Sequence, residues 1–103
     1  MESTKYLNVG QIVKSKNGRD AGLVFVVLEI LDENYVLIAD GKRRTIDKPK
    51  RKKIKHLSVY KKVFDEIKTK EVGKYQFNDA YIRRILKPYS EIELEKKEVS
   101  IYE

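Results

Sequence analysis

The chain has 103 residues, 41% of them hydrophobic and 38% charged, with a formal net charge of +7. That length supports one small domain with a modest core rather than two independent ones. The absence of cysteine excludes disulfides and thiolate metal sites, and the lone His56 cannot assemble a metal cluster, so neither metal nor cofactor is expected.

No apolar signal core stands behind Met1 to Lys5. The longest apolar run, Leu23 to Leu28, falls well short of the roughly 20 residues of a bilayer-crossing helix. A soluble, cytoplasmic monomer without a membrane partner is the expectation.

From Val9 to Leu57 the chain reads as short strands separated by turns. Gln11 to Lys14 opens a strand, and Lys16-Asn17-Gly18-Arg19-Asp20 supplies turn chemistry after it. Leu23 to Leu31 is rich in β-branched and aromatic residues with little polar alternation, which predicts a strand that bends so that each half faces the core differently. Asp32-Glu33-Asn34 interrupts the apolar pattern before Tyr35 to Ala39, a hairpin signature, and Asp40-Gly41 is a second tight turn. Arg44 to Ile46 is predicted as a fourth strand. Lys48, pushed out of the α region by Pro49, marks a pause, and Ile54 to Leu57 is predicted as a fifth. Five short strands in about fifty residues suit a small barrel better than a sandwich.

After Ser58 the period changes. Tyr60, Val63, Phe64 and Ile67 fall at helical spacing, with Gly73 as the expected stop. Asn78 is a good N-cap and Asp79 suits the first turn of a second helix. The stripe Tyr81, Ile82, Ile85, Leu86 and Tyr89 follows, and Pro88 is expected to limit it. The acidic end, with Glu91, Glu93, Glu95, Glu98 and Glu103, is expected to be poorly ordered or a late edge strand. The expected organisation is a barrel over residues 7–59 and a helical extension with an acidic tail over 60–103. No internal repeat is visible.

Charge is concentrated in Lys42 to Lys55. There nine Lys or Arg meet the single acid Asp47, giving +8, so the remaining residues sum to −1. A merely soluble surface interleaves its acids and bases. Nine crowded cations suit a polyanion, because each cation that meets a phosphate releases condensed counterions. Ile46, Ile54 and Leu57 should face inward and anchor this segment.

The run Val9-Gly10-Gln11-Ile12-Val13, then Gly18-Arg19-Asp20-Ala21-Gly22 and the apolar strand, resembles the KOW motif of SH3-like barrel proteins. With Leu31 to Ile38, Asp40-Gly41 and the basic segment closing on Lys55-His56-Leu57, the order is similar to KOW-containing ribosomal proteins of archaeal and eukaryotic large subunits. It also resembles a small bacterial family described as KOW domain RNA-binding proteins. There the pattern Asp40-Gly41-Lys42-x-Arg44 and Lys48-Pro49-Lys50-x-Lys52-Lys53-x-Lys55-His56-Leu57 recurs. The resemblance covers about Val9 to Leu57, roughly half the chain. It implies a mainly β, SH3-like barrel and RNA, above all ribosomal RNA, as partner.

The candidate RNA contacts are Lys42, Arg43, Arg44, Lys48, Lys50, Arg51, Lys52, Lys53 and Lys55, with Lys16, Asn17 and Arg19 on the preceding turn. Gly10, Gly18 and Gly22 are the motif glycines. Gly18 and Gly22 either bring backbone N–H groups near a phosphate or only shape the turn, and barrel geometry is the favoured role of Gly22. Tyr35 either stacks on an unpaired base or packs its ring on the barrel end. His56 suits a phosphate contact or a structural hydrogen bond equally. Phe25, Phe64 and Phe77 are expected in the core.

No nucleophile–His–acid set and no Gly-Lys-Ser phosphate loop is present, so a binder rather than an enzyme is expected. Two other classes remain open. One is a protein–protein adaptor or ribosomal-protein contact using Tyr81, Ile82, Ile85 and Leu86. The other is a KOW module acting in transcription, touching polymerase or nucleic acid; charge alone also leaves duplex DNA open as the ligand in place of RNA.

Overall fold

In a computed structural model the described residues are 3–68, 70–71, 74–75 and 77–101. The expected helix stop at Gly73 lies outside them, as does Glu103. Five strands form one antiparallel sheet: β1 (Gln11–Ser15), β2 (Val24–Ile30), β3 (Tyr35–Ala39), β4 (Lys50–Lys53) and β5 (Leu57–Val63). Their order is β4-β3-β2-β1-β5, with β1 pairing both β2 and β5. This is a small SH3-like barrel. A two-residue pair, β6 (Lys70–Glu71) and β7 (Lys74–Tyr75), precedes helix α1 (Asp79–Ile101).

The unbroken apolar character of β2 has a simple cause. Phe25 and Val27 point into the barrel with Val13, Val36, Ile38, Ile54 and Leu57. Val24, Val26 and Leu28 point the other way, onto Ile82, Ile85 and Leu86 of α1. Alternate residues, rather than the two halves of a bent strand, therefore face different cores, and both faces are buried. Phe25 is fully buried, while Phe64 and Phe77 lie half-buried against the α1 cluster.

Three local expectations are corrected. Residues 57–63 form a strand, followed by a 3-10 turn at Asp65–Lys68, where helical spacing predicted a helix from Tyr60 to Ile67. The free edge of β1 decides this, since β5 pairs it from Ser15↔Leu57 to Gln11↔Val63, and such tertiary pairing overrides local period. Tyr60, Phe64 and Ile67 still pack on the α1 cluster. Arg44 to Ile46 is a loop, and Ile54–His56 is a 3-10 turn, so the only strand within the basic segment is β4.

α1 also runs through Pro88 to Ile101, so the acidic end is helical rather than an edge strand. Asn78 caps it by accepting the Tyr81 N–H through Oδ1 at 3.0 Å. Pro88 and Arg84 are both exposed, so the Arg84 carbonyl that the proline strips of its donor can reach water.

Candidate nucleic-acid interface

The turn after β1 is a scaffold for charge. The Gly22 N–H donates to the Ser15 carbonyl at 2.8 Å, so it closes the turn and is not offered to a ligand. Gly10 is likewise internal. Its N–H donates to Val27, its carbonyl accepts from Phe64, and a Cβ there would collide with the Phe64 carbonyl. Gly18 differs: it is exposed at φ +80°, at the tip between exposed Lys16, Asn17 and Arg19.

Asp20, the only acid of this turn, is 4% exposed and draws in the basic segment. Lys50 Nζ lies 2.9 Å from its Oδ2, outside the geometry of a directed hydrogen bond, and Arg44 Nη2 lies at 3.8 Å. Lys52, 8% exposed, donates from Nζ to the Asn17 carbonyl at 3.1 Å. Burial pushes the Asp20 carboxyl up, but the Lys50 contact and the charges of Lys50, Arg44 and Lys52 outweigh it and hold it below the ordinary carboxylate range. Burial, aided by repulsion from Lys50, pushes the Lys52 ammonium below the ordinary lysine range, with Asp20 opposing. Two segments thirty residues apart are thus joined around one carboxylate.

This explains how a strand can be made of Lys-Arg-Lys-Lys. Lys50 and Lys52 pair with Ile38 and Val36, whose side chains are buried. On that inward side the two lysine stems cover apolar surface while their ammonium groups reach the Asp20 turn. Arg51 and Lys53 alternate outward beside Leu37 and Tyr35. The Arg51 guanidinium lies 3.6 Å from the Tyr35 ring centroid and Lys53 Nζ lies 5.9 Å from it. Arg51 therefore covers one face of the half-buried Tyr35 ring.

The rest of the basic segment is a loop ordered by two carboxylates. Asp40 Oδ1 accepts the N–H groups of Lys42, Arg43 and Arg44 at 2.9–3.0 Å. Asp79, at the start of α1, accepts the Ile46 N–H at 2.9 Å, and Arg83 Nη1 donates to the Gly41 carbonyl at 2.6 Å. Gly41 sits at φ +78° so close to α1 that a Cβ would strike the Asp79 carbonyl. Lys42, Arg43 and Lys48 emerge exposed, and Ile46 is half-buried against the α1 cluster as an anchor without a strand. Lys55 is exposed, and the His56 carbonyl accepts the Lys16 N–H at 2.8 Å.

The sequence-predicted cations therefore divide. Arg44, Lys50 and Lys52 gather around Asp20. Lys16, Arg19, Lys42, Arg43, Lys48, Arg51 and Lys55 are exposed, and Lys53 is half-buried beside Tyr35. Sequence reasoning passed over Asp20 and Asp79 as organisers. A lone acid inside a basic turn was the available signal for Asp20. The stripe of Ile82, Ile85 and Leu86 is buried on the barrel, so it is not an open docking face. Among the described residues, no group of His, Cys, Asp or Glu is placed to hold a metal ion, and no helix is long and apolar enough to cross a membrane.

These features define a small SH3-like barrel whose basic turn and strand are fixed by the buried Asp20 and whose loop is fixed by the half-buried Asp40 and Asp79. No family model matches the chain. It is 37% identical over 59 residues to a Bacillus subtilis protein named "Putative ribosome-binding protein YbzG", covering 57% of this chain and 80% of that one. It is 39% identical over 59 residues to large ribosomal subunit protein eL14 of Staphylothermus marinus, covering 57% of this chain and 62% of the relative. Against eL14 of Pyrobaculum arsenaticum the identity is 42% over 53 residues, 52% of each. The chain thus spans between half and two thirds of the length of these archaeal relatives. It belongs to the KOW-type, ribosomal-protein-like family that includes YbzG.

Proposed function

We propose that the chain is a ribosome-associated RNA-binding protein that binds ribosomal RNA phosphates and acts in translation as a binder, not as an enzyme. The observation that carries this reading is the Asp20 junction. It holds the Lys16–Arg19 turn against β4, so the exposed cations of both segments are presented by one ordered scaffold. Names of relatives that refer to the ribosome support the same direction.

In this reading Lys16, Arg19, Lys42, Arg43, Lys48, Arg51, Lys53 and Lys55 meet phosphates directly, and Asn17 reaches phosphate or a base edge. Arg44 and Lys50, whose side chains remain 39% and 29% exposed, add to the local potential, while Lys52 holds the turn. Arg forks two hydrogen bonds to one phosphate, whereas Lys acts as a point charge.

Crosslinking the protein to RNA in cells and sequencing the bound fragments tests this proposal. Enrichment at one ribosomal RNA site is the expected result, and fragments scattered over unrelated RNAs would overturn it. In vitro, about five to eight phosphate contacts give a slope of log affinity on log salt of roughly −4 to −7. A flat salt response would remove the phosphate mechanism.

A further inference from the structure

The loop-to-helix junction encloses a cleft that the phosphate surface alone does not explain. Its volume is about 340 Å³, within the roughly 300–1,000 Å³ typical of small-ligand sites. Four cations line it: Lys42 and Arg43 from the loop, Arg83 and Lys87 from α1. Asp40 is the one acid among the lining residues, and its Oδ1 already accepts three backbone N–H groups. Half-buried Leu23 forms an apolar wall beside these charges, with the buried Val24 and Leu86 packed behind it. The hydrogen bond from Arg83 to the Gly41 carbonyl fixes the junction between loop and helix.

We propose that this cleft holds one unpaired nucleotide of the bound RNA, its phosphate among the four cations and its base against the apolar wall. The proposal rests on the RNA-binding reading and deepens it, because it makes α1 part of the RNA site. Paired A-form RNA presents phosphates and a shallow minor groove, and has no free base face for an apolar wall to cover. An unpaired nucleotide offers an anion and an apolar face in one unit. Lys87, Arg83 and Leu86 behind the wall lie in the half of the chain to which the basic segment contributes nothing.

The test uses the full chain with labelled Leu and Val methyls and two RNA hairpins, one fully paired and one with a single bulged nucleotide. The bulged hairpin should shift the methyls of Leu23, Val24 and Leu86 and bind about tenfold tighter, the order expected when one base is laid on a protein surface. Ser90→Trp, at an exposed position lining the cleft, fills it without changing charge and should abolish the preference while leaving the paired hairpin within about twofold. Lys87→Glu provides a second variant with the same expected loss of preference.

Equal affinity for the two hairpins, silent methyls, or a preference that survives Ser90→Trp would overturn the proposal while leaving the phosphate reading intact. Failure of both hairpins to bind would overturn both readings together. If a free nucleoside monophosphate saturates the same methyls at micromolar concentration and neither hairpin displaces it, the cleft belongs to a small nucleotide and the RNA assignment falls.

Discussion

The two faces of β4 use the same residue types for opposite purposes. Inward, Lys50 and Lys52 lie beside a buried carboxylate and tie the Lys16–Arg19 turn to the sheet. Outward, Arg51 and Lys53 lie over a tyrosine ring, with Arg51 exposed. The difference shows that a charge count over-reads a surface, because three of the nine cations in Lys42 to Lys55 serve the fold. What separates the two sets is strand alternation and one acid from a distant turn.

The largest expected effect comes from removing that acid. Asp20→Asn leaves Arg44, Lys50 and Lys52 crowded without their counter-charge, and breaking such a pair costs about 3 kcal/mol. Denaturant unfolding of the variant measures it, and a loss under about 1 kcal/mol would show the junction to be dispensable. Replacing the outward pair should do the reverse. Arg51→Ala with Lys53→Ala should change stability by less than about 1 kcal/mol, yet lower RNA affinity roughly 25- to 60-fold near 0.1 M salt and flatten the salt slope by about 1.4–1.8. If both variants lose stability equally, the two faces are not functionally distinct.

Acid sharpens the same comparison at smaller amplitude. The Asp20 carboxyl titrates below its ordinary range in the folded chain, held there by Lys50, Arg44 and Lys52 against the opposing effect of burial. A depressed carboxylate contributes stability that is present above the unfolded value and is lost as pH falls through the folded one. The stability gap between the wild type and Asp20→Asn should therefore be constant from neutral pH down to the ordinary carboxylate range. It should close only below that range. Unfolding curves taken across that pH window check the sign, and a gap that widens on acidification would contradict it.

The parts legible in the sequence were those that bury hydrocarbon. Val24 to Ile30 and Tyr35 to Ala39 announce strands through β-branched side chains, and Asn78 announces a helix start. β4 was not legible as a strand because none of Lys50 to Lys53 is apolar. Its inward face is satisfied by Asp20 and the Asn17 carbonyl, both fixed only by long-range packing. The expected helix over Tyr60 to Ile67 failed for a related reason: the edge of β1 is invisible to local period. Within the candidate site the cations were visible as residues. Which of them meet solvent depends on the alternation of a strand whose register only the pairing with β3 sets.

The smallest predicted effect isolates geometry from charge on the outward face. Tyr35→Leu keeps an apolar side chain at the half-buried position but removes the ring that Arg51 covers at 3.6 Å. A cation over a ring at the solvent boundary contributes about 0.5–1 kcal/mol, so the loss of this contact should lower stability by no more than that. The number of phosphate contacts is unchanged, so the salt slope should stay the same. Affinity should nonetheless drop about two- to fivefold, because a guanidinium released from the ring must be ordered again each time it meets a phosphate. An altered slope would mean that Tyr35 controls how many cations bind. An unchanged affinity would mean that the ring positions nothing, and the outward face then acts through its charge alone.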